Sequence, residues 1–216
     1  MCYSAEKSLE TLIINHISGI LLHYTYDPIM GIFLLYVGFM QFFDYMFWKN
    51  QEKNAINYWF TKIAMITNNT QPIILALCIS YFTGSWLYFY EFIIVFVYSI
   101  ITLFYSIYSW YQIDYTLVTN KSSPGLYWQW NYLYGGINFY LLFLITLCTL
   151  FYRFTYPINY VYIFLSIFSF VLSWYKYKTH KSVGRMWCFF AGYLPIFVII
   201  LYMIIEQKQV KKMLSL

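Results

Sequence analysis

The chain has 216 residues, 62% of them hydrophobic and only 10% charged, and its mean hydropathy is +0.58. Soluble domains carry about 45–50% apolar and about 25% charged residues, so a soluble globular domain is excluded, as is a disordered chain, which needs low hydrophobicity and high charge. The formal charge of +5 sits mainly in loops between apolar runs. There Lys and Arg set orientation and meet anionic headgroups, which makes the lipid bilayer the expected partner and not nucleic acid.

A membrane helix takes about 20 residues. Runs of that order lie at Ser4–Leu22, Pro28–Trp48, Tyr58–Phe82, Trp86–Tyr108, Tyr132–Tyr152, Pro157–Tyr175 and Met186–Ile205. They predict one all-α domain over 1–216, a polytopic transmembrane helix bundle of about seven spans with short loops. In the first run Ser4 reads as an N-cap, with Glu6 in the first turn. Glu6 and Glu10 precede the apolar part and no small-residue cleavage site follows, so a secretory signal is not expected. This run carries Asn15 and His16, and either spans or lies in the interface as an amphipathic helix. Asp27-Pro28 leaves only a tight turn before the second run.

The third run is interrupted by Lys62 and by the polar stretch Thr67-Asn68-Asn69-Thr70-Gln71-Pro72. Pro72 removes a helix hydrogen bond and is expected to kink or break this span. The longest loop, from about Ser109 to Asn131, holds the turn signal Ser122-Ser123-Pro124-Gly125. Its Trp128 and Trp130 suit a membrane interface, with the ring buried and the indole N–H wet. Seven spans put Lys7, Lys49, Lys53, Lys121, Lys176, Lys178, Lys181 and Arg185 on one face, and Arg153, Lys208, Lys211 and Lys212 on the other. The cytoplasmic preference of Lys and Arg then places the N-terminus inside and the C-terminus outside. If the first run does not span, both termini are inside.

Strongly polar side chains inside a span face the bundle interior or a cavity. Here they are Glu10, Asn15 and His16, then Gln41 and Asp44, then Lys62, Asn68, Asn69 and Gln71, and finally Asn138. Glu10, Asp44 and Lys62 fall within about two turns of the inner surface at ~1.5 Å per residue, a depth at which an ion-paired cluster can form. Gln41 and Asp44 share a helix face, as do Lys62 and Asn69, while His16 and Gln71 lie deeper. Glu10, His16, Gln41, Asp44, Lys62, Asn69 and Gln71 are therefore the candidate ligands for a proton, ion or small polar solute, along a polar funnel from the inner surface. The competing reading has Asn and Gln gluing helices together while Asp44 and Lys62 snorkel.

Cys2, Cys78, Cys148 and Cys188 show no CxxC and no zinc spacing, so no metal site is expected. Depth groups Cys2 with Cys188 at the inner face and Cys78 with Cys148 toward the outer one, where a disulfide is compatible with the compartment. The last run lacks the lysine of a retinal protein, and HExxH, Walker and GxSxG motifs are absent. No cofactor and no catalytic residue follow from the sequence.

The opening Met-Cys-Tyr-Ser-Ala-Glu, Met40-Gln41-Phe42-Phe43-Asp44, Gln71-Pro72 and Gly184-Arg185-Met186-Trp187-Cys188 together resemble an uncharacterised family of multi-pass membrane proteins. That family occurs in microbes and large DNA viruses and begins Met-Cys-x-Ser-Ala. The resemblance implies architecture rather than chemistry, and it draws attention to Cys2, Gln71, Pro72, Trp187 and Cys188. Where members often carry a glutamate before the second-span polar pair, this chain has Gln41 and Asp44. Two functions remain in view: a small transporter or channel-like protein working through the polar cluster, and a non-enzymatic assembly protein recruiting partners through the Lys176–Arg185 loop. A lipid-acting membrane enzyme is a third, without an identifiable nucleophile or metal.

Overall fold

The computed structural model describes residues 4–118, 126–177 and 183–214, with side chains in the last helix described as far as Ile205. Cys2, Lys121, the Ser122–Gly125 turn signal, Lys178 and Lys181 lie outside the described residues, and so do the side chains of Lys208, Lys211 and Lys212. Eight α-helices carry the described chain: α1 (Ala5–Thr25), α2 (Pro28–Lys49), α3 (Ala55–Thr83), α4 (Phe89–Gln112), α5 (Gly136–Phe151), α6 (Ile158–Tyr177), α7 (Val183–Gly192) and α8 (Leu194–Leu214). A 3-10 turn, Gln129–Tyr132, precedes α5. Among the described residues the only extended pairing is an isolated bridge between Val118 and Leu126.

Local signals start the helices where the sequence says they should. Ser4 caps α1, its Oγ accepting from Lys7 N at 3.3 Å. Asp27 caps α2 with Pro28 in the first turn, and Asn54 caps α3. Gly84 ends α3 in the left-handed region at φ 61°, a conformation that costs glycine little.

From α1 to α7 consecutive helices run antiparallel, and α1 and α2 pack through small residues. A β-carbon on Gly31 would come within 2.5 Å of the His23 backbone, and one on Gly38 within 1.9 Å of Asn15 Oδ1. Glycine is what lets α1 and α2 approach along their whole length. One end of the bundle, the basic end, therefore gathers the starts of α1, α3, α5 and α7 and the ends of α2, α4 and α6. The opposite end holds the α1–α2, α3–α4 and α5–α6 turns.

Burial is inside-out relative to a soluble protein. Phe92, Phe96, Ile100, Leu103, Phe104 and Ile107 of α4 face outward, while Asn15, Gln41, Asp44, Lys62, Asn68 and Asn69 are buried. This pattern suits a hydrocarbon surround. Four helices, α2, α3, α4 and α6 (from Ile158 to Lys176), are long and apolar enough to cross a membrane, and the α7–α8 pair makes a fifth if counted as one bent span. The 16 residues of α5 extend only about 24 Å at 1.5 Å per residue, short of a ~30 Å hydrocarbon core. The expected seven runs are all helical, but fewer than seven meet the spanning criterion on length and composition.

The helix break falls elsewhere than expected. Pro72 deprives the Asn68 carbonyl of its donor, yet α3 runs unbroken from Ala55 to Thr83, and Tyr98 OH donates to the neighbouring Asn69 carbonyl at 2.6 Å. The interruption is instead at Tyr193, where α7 and α8 meet at 41°. Gly192 precedes it, and Pro195 lies in the first turn of α8. Proline is tolerated there because those N–H groups have no helical partner.

Candidate functional site: a buried polar layer under an aromatic plug

The described parts of the connection from α4 to α5, residues 113–118 and 126–135, pack into the basic end. Ile113, Leu126, Trp128 and Trp130 are each 1% exposed, packed with Met40, Phe43 and Phe47 of α2, Ala64 and Met65 of α3 and Cys188 of α7. The two indoles stack with centroids 5.1 Å apart. Their expected place at a wet interface is corrected: they form a plug. The reason lies beneath it, where Trp128 Nε1 donates to Asp44 Oδ1 at 3.0 Å, giving a wholly buried carboxylate a donor that water would otherwise supply.

Polar contacts continue from there across α7, α3, α5, the 3-10 turn and α4. Cys188 Sγ lies 3.7 Å from Asn68 Oδ1, and Asn68 Nδ2 donates to Tyr140 OH at 3.2 Å and Asn69 Oδ1 at 3.4 Å. Tyr140 OH in turn donates to Asn131 Oδ1, and Asn69 Nδ2 reaches Ser106 Oγ at 3.2 Å. Gln71, 4% exposed, lines a narrow cleft of about 40 Å³ with Cys188, Trp187, Ser166 and Tyr162, the rest of its wall being apolar.

A second branch sits at the helix break. Asn15 Nδ2 donates to the Gly192 carbonyl at 3.2 Å, and Thr11 Oγ1 and Tyr193 OH lie 3.3 Å apart. Gln41 is beside them, its Cγ 3.9 Å from where a β-carbon on Gly192 would stand. Asn15 thus takes up a carbonyl near the point where the α7 ladder stops. A break next to buried amides is the arrangement in which transporters coordinate solutes.

Of the seven expected ligands, Gln41, Asp44, Asn69 and Gln71 belong to this layer, and three do not join it. Glu10 is half exposed and pairs with Lys7 at 2.5 Å on the same helix. His16 is half-buried, its Nδ1 2.9 Å from the Leu12 carbonyl and its ring edge-on to Phe39. Lys62 is buried but not as a counter-ion for Asp44. Its ammonium donates to the Trp110 and Ile113 carbonyls at the end of α4, ion-pairs with Asp114 at 3.3 Å and lies over the Tyr58 and Trp110 rings. A cation at a helix C-terminus meets unsatisfied carbonyls and the negative end of the dipole, so Lys62 fastens α3 to α4. The expected Glu10–Asp44–Lys62 cluster is not formed. Cys78, Cys148 and Cys188 are free thiols, so the outer disulfide is absent.

Asn131, Tyr140, Trp128 and Tyr193 went unrecognised as site residues because aromatic side chains make up 25% of the chain and carry no pattern. Asn131, followed four residues later by Gly135-Gly136 at the start of α5, was the one readable signal. No family model, curated protein or solved structure matches the chain.

Proposed function

We propose that the chain is a multi-pass membrane protein of up to seven passes, with α7 and α8 as one broken pass and the N-terminus cytoplasmic, that carries a proton, an ion or a small polar solute. The observation that carries the reading is Asp44: a carboxylate with no exposure, in a bundle whose outer surface is apolar, within a layer that also holds Gln41, Asn68, Asn69 and Gln71. Intramembrane carboxylates are costly and mark ion or proton pathways. The broken helix beside Asn15 and Gln41 supports the same reading. The gathering of Lys7, Lys49 and Lys53 at one end supports the orientation. In this reading Asp44 bears the charge, the amides supply neutral ligands, and the Trp128–Trp130 plug must move for a solute to reach Asp44 from the basic end.

The test is flux in proteoliposomes. Wild-type protein is expected to dissipate an imposed proton or cation gradient, and Asp44→Asn to abolish the flux while keeping its helical content and elution volume. Normal flux in the variant, or none in folded wild-type protein across protons, alkali cations and small amides, overturns it. The second of these outcomes would favour an assembly role.

A further inference from the structure

The basic end holds several buried N–H groups with nothing to receive them. Arg185, in the first turn of α7, is 2% exposed, and its Nε and Nη1 meet no acceptor. Asn131 Nδ2, Trp130 Nε1 and Trp48 Nε1 are buried in the same condition. All are donors, and one belongs to a full positive charge. Roughly nine in ten buried polar groups in native proteins are satisfied, and an uncompensated buried guanidinium is among the costliest exceptions.

Two of these groups, Arg185 and Asn131, meet at the first turn of α7. Tyr132 OH accepts from Val183 N at 3.0 Å, fastening the first turn of α7 to the 3-10 turn. Asn131 Nδ2 lies against Gly184, within 2.1 Å of where a β-carbon would stand, and Arg185 is the next residue. The order Asn68 Nδ2 to Tyr140 OH to Asn131 Oδ1 fixes which face of the Asn131 amide is left over, and it is the N–H face. Burial pushes the Tyr132 phenol up to about 12, with the charge of nearby Arg185 acting in the opposite sense. Trp48 and Trp130 pack in the cluster that Cys188 joins, one turn along α7 from Arg185. The start of α7 adds the positive end of a helix dipole. A guanidinium, an amide N–H and a helix N-terminus share one complement, an oxyanion, which arginine receives in fork geometry.

We propose that Arg185, with the Asn131 amide, holds a phosphate-type oxyanion at the first turn of α7. The site lies at the start of α7, which in the membrane reading proposed above is the end of a pass and so the depth of headgroup phosphates, and the same chemistry is met by a phospholipid phosphate or by free phosphate. It is independent of whether the chain transports anything, because its readout is binding rather than flux.

The experiment uses the full chain in mild detergent, with thermal unfolding and native mass spectrometry as readouts. Phosphatidylglycerol is compared with phosphatidylcholine, and inorganic phosphate with chloride at equal ionic strength. Wild-type protein is expected to retain and be stabilised by phosphatidylglycerol or by phosphate, with binding at least tenfold weaker in Arg185→Met and partly kept in Arg185→Lys. A response to phosphatidylglycerol alone identifies a lipid phosphate, and a response to inorganic phosphate identifies a free oxyanion. Asn131→Asp keeps the acceptor for Tyr140 and sets a carboxylate beside Arg185, so it is expected to fold and to lose the anion response even if Arg185→Met does not fold. Wild-type protein indifferent to both anions, or an undiminished response in Arg185→Met or Asn131→Asp, overturns the proposal.

Discussion

Arg153 and Arg185 occupy opposite ends of the bundle under opposite conditions. Arg153, on the α5–α6 turn, ion-pairs with Glu91 at 2.9 Å, donates to the Trp86 carbonyl at 3.2 Å and to Ser85 Oγ at 2.5 Å, and lies over the Tyr88 ring. Arg185 is buried more deeply, yet two of its nitrogens have no acceptor. The same contrast runs through their surroundings. Near Arg153, Asp27 accepts from Met30 N at 2.9 Å, Tyr162 OH at 2.8 Å and Tyr202 OH at 3.0 Å, tying the α1–α2 turn to α6 and α8. Near Arg185, the indole of Trp130 and the amide of Asn131 are left without acceptors. Among the described residues the Arg153 end leaves one buried oxygen, Glu91 Oε1, without a partner, on a carboxylate that is already ion-paired, whereas the Arg185 end leaves both Arg185 Nε and Nη1 and the N–H groups of Asn131, Trp130 and Trp48 without one. Sequences depart from internal consistency chiefly where function demands it, and on that contrast rests the proposal that the Arg185 end does the chemistry while the Arg153 end supplies stability.

The largest effect expected is on the Arg153 end. Removing one partner of a buried pair leaves the other charged and desolvated, at a cost of about 3–5 kcal/mol. Arg153→Met should lose stability on that scale, because Glu91 has no exposure through which to recover water. Arg185→Met, unfolded thermally in anion-free detergent, should lose little or gain, since it deletes a charge that has no partner to abandon. Equal losses in the two variants would erase the distinction between the ends. Asp27→Ala should follow, at about 1.5–3 kcal/mol for hydrogen bonds to a charged acceptor, together with release of the Tyr202 contact that seats α8. Thermal unfolding measures the first, and faster proteolysis of the C-terminal helix the second.

Within the basic end, the Trp128–Asp44 bond separates packing from electrostatics. Trp128→Phe should cost about 1–3 kcal/mol, part from a smaller ring and part from leaving a buried carboxylate a donor short. The second part should shrink when Asp44 is already Asn, so a double-mutant cycle yields a coupling energy of about 0.5–3 kcal/mol. An additive cycle would mean that Trp128 plugs the bundle by shape alone.

How far these ends were readable from sequence depends on what each residue's partner is. Helix positions, the Ser4 cap and the Asp27-Pro28 turn were legible, because these signals act within a few residues of themselves. Asp44, Gln41, Asn69 and Gln71 were legible as buried, since a bilayer leaves a polar side chain few other places. Lys62 was misassigned because its partners are backbone carbonyls at the end of α4, which no residue type announces. Arg185 was grouped with a basic loop. The α7 helix begins two residues before it and draws it inside, a boundary finer than hydropathy resolves. The break at Tyr193 was missed for a similar reason. Pro72 sits mid-run and looks disruptive, whereas Pro195 acts by starting a helix, and Gly192 is held by an asparagine 177 residues away in sequence.

The smallest expected effect bears on what holds the Arg153 end. Cys78 and Cys148 both lie near this end, one on α3 and one on α5, where a disulfide would have been an alternative to the ion pair. A bridge between them would close a loop of about 70 residues and, in the chain-entropy treatment, add about 4 kcal/mol, which in a chain of this size moves the unfolding midpoint by roughly 10 °C. The structure leaves both thiols free and places Arg153, Glu91 and Asp27 in charge of the same junction. Adding a thiol reductant to purified protein should therefore leave the midpoint unchanged, and both cysteines should react with a thiol reagent once the chain is unfolded without reductant. A midpoint that falls by several degrees on reduction would mean that the end is held covalently. In that case Arg153→Met should be mild under oxidising conditions and severe only after reduction, so the two treatments combined decide which device carries the load.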